Sequence, residues 1–173
     1  MHQLSLLVSV GLFAASAGVA QAQVCYDGVA ETTPTTRFVI NDDGTVSDSK
    51  TGLMWQRCSF GQSYNTETLN CEGTSQQLSW GEALRGATMS DYAQYSDWHV
   101  PNIKELASIL EHQCVQPSIN EQVFYATKLQ NYWSSTSGKE RTDLAWVYQF
   151  DKGVNSLHAK TSDLYLRLVR YEK

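Results

Sequence analysis

Several of the commonest chemical signatures are missing from this 173-residue chain. It has no P-loop and no G-x-G-x-x-G, so a glycine-rich phosphate cradle is excluded. No G-x-S-x-G lies beyond residue 22, which removes the nucleophile elbow of a serine hydrolase. His99, His112 and His158 are scattered, and none has the H-E-x-x-H spacing that places two imidazoles on one helix face. There is no C-x-x-C, and His112-Gln113-Cys114 supplies only one close ligand pair, which argues against structural zinc. No metal or other cofactor is therefore expected. Positive charge is short as well, with 13 Lys and Arg against 18 Asp and Glu for a net charge of −5. That balance opposes a general role on nucleic acid or on an anionic membrane. No internal period of about 20 to 50 residues appears, so a repeat architecture is excluded too.

One apolar run is present, at the start. Leu4 to Val19 is broken only by Ser and Gly and is followed by Ala20-Gln21-Ala22, a small-x-small cleavage pattern. Residues 1–22 read as a secretory signal cut before Gln23. The run is short of the roughly 20 residues a bilayer span needs, so no stable membrane span is expected after cleavage. Val24 precedes Cys25 where a lipobox needs Gly or Ala. Residues 23–36, with the stretch Glu31-Thr32-Thr33-Pro34-Thr35-Thr36, read as an extended tether, and 37–173 as a single domain. Export makes sense of Cys25, Cys58, Cys71 and Cys114, an even set that predicts two disulfides. Three pairings are open. Joining Cys58 to Cys71 would clamp the polar loop from Gly61 to Asn65 and leave Cys25 for Cys114.

Along the domain, Arg37–Ile40, Thr45–Asp48 and Leu53–Gln56 read as a β-meander with turns at Asn41-Asp42-Asp43-Gly44 and Ser49-Lys50-Thr51-Gly52. Those turns explain the acidic residues without calcium, whose twelve-residue loop spacing is absent. Ser79 and Glu82 form a capping box that opens a helix over about 80–90, with Trp80, Ala83, Leu84, Ala87 and Met89 on one face. A second box, Asn102 with Glu105, follows Pro101, which holds Val100 extended. Ile103, Leu106, Ile109 and Leu110 then form an apolar stripe, and Trp98 is expected to pack beneath the cap. Glu82 and Glu105 are thus committed to backbone amides and are poor candidates for acid–base work. Beyond Cys114 the chain reads as sheet, with strands at Tyr132–Thr136, Leu144–Phe150, Val154–Lys160 and Tyr165–Arg170. Trp55 and Trp133 are expected in the core. No catalytic residue is assigned.

The C-terminal hairpin and last strand carry Tyr148, Lys152, His158, Lys160, Arg167 and Arg170. Strand alternation predicts several of them on one sheet face, a shallow site for an anionic or sulfated glycan. An ordinary solvated face is the competing reading.

Taken in order, several motifs resemble the Lcl C-terminal domain family. They are Asp43-Gly44-Thr45-Val46-Ser47-Asp48 with Thr51-Gly52-Leu53-Met54-Trp55-Gln56; Ser79-Trp80-Gly81-Glu82-Ala83; Ser96-Asp97-Trp98-His99-Val100-Pro101-Asn102-Ile103-Lys104-Glu105-Leu106; Tyr132-Trp133-Ser134-Ser135-Thr136; and Arg167-Leu168-Val169-Arg170. The resemblance covers residues 37–170 and takes its name from the terminal domain of a bacterial collagen-like surface adhesin. It implies an α+β, C-type-lectin-like fold related to sulfatase-modifying domains: N-terminal β-hairpins, two α-helices, then a looped antiparallel β-sheet. The adhesin implies binding to sulfated glycosaminoglycans. This chain has no collagen repeat, lacks the Glu-Pro-Asn and Trp-Asn-Asp calcium motifs of true C-type lectins, and has no C-terminal cysteine pair of the formylglycine-generating kind. The expected protein is an exported, non-enzymatic binding or adhesion module, periplasmic or on the outer surface of a bacterium, meeting a glycan or an envelope protein. A sulfatase-modifying type of enzyme and a structural subunit of an envelope assembly are the alternatives.

Overall fold

The computed structural model describes residues 22–172, so the expected signal, apart from Ala22, lies outside the described residues. The meander forms as three antiparallel strands, β2 (Phe38–Ile40), β3 (Thr45–Asp48) and β4 (Leu53–Gln56), preceded by a two-residue strand, β1 (Val24–Cys25). Its corners are held by the polar residues of the turns. Asp43 Oδ1 accepts from the Thr45 N–H at 2.9 Å, and the fully buried Asp48 accepts from Arg37 Nε at 2.7 Å, Thr51 Oγ1 at 2.6 Å and the Lys50 N–H at 3.0 Å. Burial would raise the Asp48 carboxyl, but these hydrogen bonds and the Arg37 charge outweigh it and hold it below its ordinary range. Gly44 turns the first corner at φ +81°, where a side chain would also collide with Tyr92 and Tyr64.

A short ribbon follows, β5 (Gln62–Asn65) with β6 (Asn70–Gly73), and then the helices α1 (Trp80–Thr88) and α2 (Ile103–Ala107). The last part contains β7 (Cys114–Val115), β8 (Asn131–Ser137), β9 (Leu144–Gln149), β10 (Val154–Ala159) and β11 (Val169–Tyr171). The final strand returns beside β4, with Val169 opposite Trp55, so the sheet runs β11-β4-β3-β2 and ties the two ends of the domain together. A second sheet runs β10-β9-β8. The period-two geometry of β8 puts neighbouring aromatics into different cores. Tyr132 joins Trp55, Leu106, Ile109, Phe124 and Phe150, whereas Trp133 joins Trp98, Ala83, Ala87, Val147 and Leu168. Each fully buried apolar side chain of this size stabilises the fold by about 1.5–3 kcal/mol relative to exposure. The result is a mixed α+β domain of mostly antiparallel strands with two short helices.

Both capping boxes form. The Glu82 carboxylate accepts from the Ser79 N–H at 3.0 Å and also from the Ser79 hydroxyl, which thus donates to the carboxylate. Glu105 accepts from the Asn102 N–H at 2.7 Å while Asn102 Oδ1 accepts from the Lys104 and Glu105 amides. The second helix is shorter than its apolar stripe suggests. Ser108 closes it, its hydroxyl donating to the Glu105 carbonyl at 2.7 Å, and Leu110 pairs across to Ile119 in a bridge instead of extending the helix. Ile109 and Leu110 are buried all the same, because the turn delivers them to the same core. Met89, expected on the buried face of α1, stands 82% exposed just past its end.

The disulfides join Cys25 to Cys114 and Cys58 to Cys71. Residues 23–36, expected as an exposed tether, are exposed over most of their length but docked at two points as a strap. β1 pairs with β7, Thr33 is fully buried, and the Glu111 carboxylate accepts from the N–H groups of Thr32, Thr33 and Gln113 at 2.8–3.1 Å. Composition alone hides this, because the partner of the two threonines lies nearly eighty residues away.

Candidate functional site

The structure separates the basic residues expected to share a face. Arg167 is fully buried: Nη1 donates to the carbonyls of Gln56 and Arg57, Nη2 donates to Thr127 Oγ1 at 2.8 Å, and the guanidinium lies over Phe124. Burial lowers its pKa to about 10, so it remains a cation serving the core. Assigning it to a surface site is therefore corrected. Arg170 is also buried and forms a bidentate pair with Asp97, at 2.6 and 3.1 Å, beneath Tyr95. Tyr148 stands opposite Asn155 and His158 opposite Ala145, so the odd spacing between residues 155 and 158 sends Tyr148 and His158 to opposite faces. Tyr148 packs on the first core, and His158 Nε2 lies 3.3 Å from Asn131 Nδ2. Lys160 donates to Ser137 Oγ at 2.8 Å and sits 4.0 Å over the Trp80 ring. Lys152 is alone at the exposed β9–β10 turn.

The corner around α2 is architectural. Trp98 is 2% exposed, donates Nε1–H to the Tyr92 carbonyl at 2.9 Å and meets Tyr92 and Tyr95 edge to face. Trp55 and Trp133 are fully buried, and Pro101 is buried as well. Glu105 also receives the Tyr171 hydroxyl at 2.9 Å and faces His99 Nε2 at 3.4 Å. Burial would raise its carboxyl, but the bonds from His99, Asn102 and Tyr171 outweigh that and hold it low.

A different surface has the properties of a site. Between the end of α1 and the loop from β4 to β5 lies an open groove of about 470 Å3, within the size range of small-molecule sites. β4 delivers Gln56 to it, and the clamped loop delivers Phe60 and Gln62. That loop is fixed by the Cys58–Cys71 disulfide, by the Phe60 N–H donating to Leu166 O at 2.8 Å, and by the Gln76 N–H donating to Phe60 O at 2.9 Å. The helix side contributes Gly86, Ser90, Asp91 and Tyr92. At Gly86 an added Cβ would come within 3.1 Å of the Phe60 ring, so the missing side chain gives the ring a closer approach to the helix. The Tyr92 hydroxyl donates to Gly44 O at 3.1 Å, and burial with the nearby Asp43 charge raises its pKa, keeping it a neutral donor.

Gln56 and Gln62 are 4% and 9% exposed, and neither Oε1 has a hydrogen-bond donor. Leaving a buried carbonyl without a donor costs about 1–3 kcal/mol. Among the described residues the other such side-chain atoms are Trp55 Nε1, Ser118 Oγ and Arg167 Nε, none of which lines the groove. Sequence reading missed these glutamines. The one available signal was a polar residue closing the apolar strand Leu53-Met54-Trp55-Gln56; Gln62, which opens β5, falls in a stretch read as a polar loop, where such residues are ordinary.

Two disulfides brace an α+β domain, which defines the broad class as a disulfide-bonded domain consistent with an extracytoplasmic, oxidising compartment. No helix among the described residues is long and apolar enough to cross a membrane. The Lcl C-terminal domain model matches residues 44–170, and the chain belongs to the Lcl C-terminal domain family. The match takes in every residue of the groove and leaves the strap outside. No curated protein matches the chain.

Proposed function

We propose that the protein is an exported, non-enzymatic binding or adhesion module of C-type-lectin-like architecture, acting in the periplasm or on the outer cell surface upon a glycan. The observation that carries this reading is the groove, where the oxygens of two buried carboxamides lack donors beside aromatic rings and hydroxyls. Such an arrangement supplies hydrogen bonds to an incoming group, and no histidine lines it to activate a hydroxyl. Pairing of all four cysteines favours recognition over thiol chemistry, since no thiolate is available. An envelope protein is the other partner class consistent with an exported module. A glycan array run beside a pull-down from native envelopes tests the reading. Capture of a glycan supports it. Capture of an envelope protein alone transfers the role to that partner class, and turnover of a substrate overturns it.

A further inference from the structure

From the chemistry of the groove lining we infer that its ligand is an uncharged sugar, held between the Phe60 and Tyr92 sides and read by the carboxamides of Gln56, Gln62 and Gln76. This rests on the glycan reading above and narrows it to one site and one class of sugar. The lining contains no cation, and its single charged side chain is the carboxylate of Asp91. A sulfated or otherwise anionic sugar would meet a like charge with no Lys or Arg in the lining to pair with it; the nearby Arg57 and Arg167 are buried. A neutral pyranose suits the same surface. Each sugar hydroxyl is both donor and acceptor, and each carboxamide offers both an oxygen acceptor and N–H donors. Rotation about the terminal torsion of glutamine exchanges the two ends, so vicinal hydroxyls can be met in either sense. The Oε1 atoms of Gln56 and Gln62 are already buried without a donor, so no hydrogen bond to them has to break when a ligand arrives.

The walls are rigid, as recognition of a small polar ligand requires. Tyr92 is tied through its hydroxyl to Gly44 and through its carbonyl to Trp98 Nε1. Ala93 and Gln94, immediately after it, hold φ +52° and +65°, a left-handed backbone that non-glycine residues rarely adopt. Strain of this kind persists where the surrounding structure over-determines it. Phe60 is fixed by both of its backbone hydrogen bonds.

The test is NMR on the 15N-labelled protein, titrated with neutral hexose and N-acetylhexosamine oligosaccharides and, separately, with a heparin oligosaccharide. At least one neutral sugar is expected to shift the side-chain amide signals of Gln56 and Gln62 saturably, with no change at high salt. The Gln62→Met variant is expected to bind that sugar about tenfold more weakly, the equivalent of about 1.4 kcal/mol. The wild-type shifts carry the test even if this variant folds poorly. Salt-sensitive binding of heparin alone, with shifts outside the groove, would overturn the groove assignment and leave the glycan reading standing. Neutral-sugar binding that leaves both glutamines unshifted would do the same. Absence of binding by every oligosaccharide would overturn both.

Discussion

The strap side and the α1 groove are both clefts lined by polar side chains, yet they use those side chains in opposite ways. On the strap side, Glu111 accepts three backbone N–H groups and the Thr33 hydroxyl, Asn120 Nδ2 donates to Thr33 O and Thr35 Oγ1, and Gln23 Nε2 donates to the carbonyls of Pro117 and Ile119. The polar groups there hold the fold together. In the groove, the Oε1 atoms of Gln56 and Gln62 accept no hydrogen bond. A buried polar group that contributes no internal bond is a cost to stability, and where it borders an opening an external partner can offset that cost. The comparison teaches where to look for function: satisfied polar clusters mark architecture, and unsatisfied ones beside an opening mark a site.

The largest effect is expected at the architectural corner. Trp98→Ala empties a fully packed position and should destabilise the protein by about 3–5 kcal/mol in urea unfolding. A Trp98→Ala protein of normal stability would remove that corner from the architectural side of the comparison. On the strap, Glu111→Ala leaves three backbone donors without their carboxylate and should cost about 3 kcal/mol. It should also release the strap, measured as loss of hydrogen-exchange protection at Thr32 and Thr33. Replacing Cys58 and Cys71 by Ser opens a short loop and should cost about 2–3 kcal/mol by the chain-entropy model. The same change should abolish ligand binding at 25 °C while the rest stays folded, since the loop it loosens carries Phe60 and Gln62.

Acid provides a graded version of the strap test. Burial raises the Glu111 carboxyl, but hydrogen bonds from Thr32, Gln113 and Thr33 outweigh it and depress the folded value below the ordinary 4.5. A depressed folded pKa stabilises the protein above the unfolded value, and that stability is lost as pH falls through the folded one. Asp48 and Glu105 act in the same direction. Stability should therefore be level near neutrality and decline below about pH 4.5, with Glu111→Gln showing a shallower decline. A decline of equal slope would show that Glu111 does not contribute.

Much of the fold was legible because local signals agreed with the final structure. Both capping boxes, the meander with its acidic turns, the pairing of an even set of cysteines and the burial of Trp55, Trp98 and Trp133 all depend on residues close in sequence, on cysteine count or on plain apolar burial. The functional surface was harder to read. Lys152, His158, Lys160 and Arg167 look like a basic face when strands are read singly, but register splits Tyr148 from His158, and Arg167 serves the backbone carbonyls of β4 and the residue after it. The strap was missed because Thr33 and Glu111 meet only through tertiary folding. The groove glutamines were missed because what distinguishes them, an absence of partners inside the fold, has no local signature.

The most direct measurement is urea unfolding of the double variant Gln56→Met, Gln62→Met beside wild type. Exchange of unpaired buried carboxamides for apolar side chains of similar shape is expected to leave stability within about 1 kcal/mol of wild type or to raise it. A loss as large as that of Glu111→Ala would mean that the two glutamines hold the fold together after all, and that the groove is architecture like the strap.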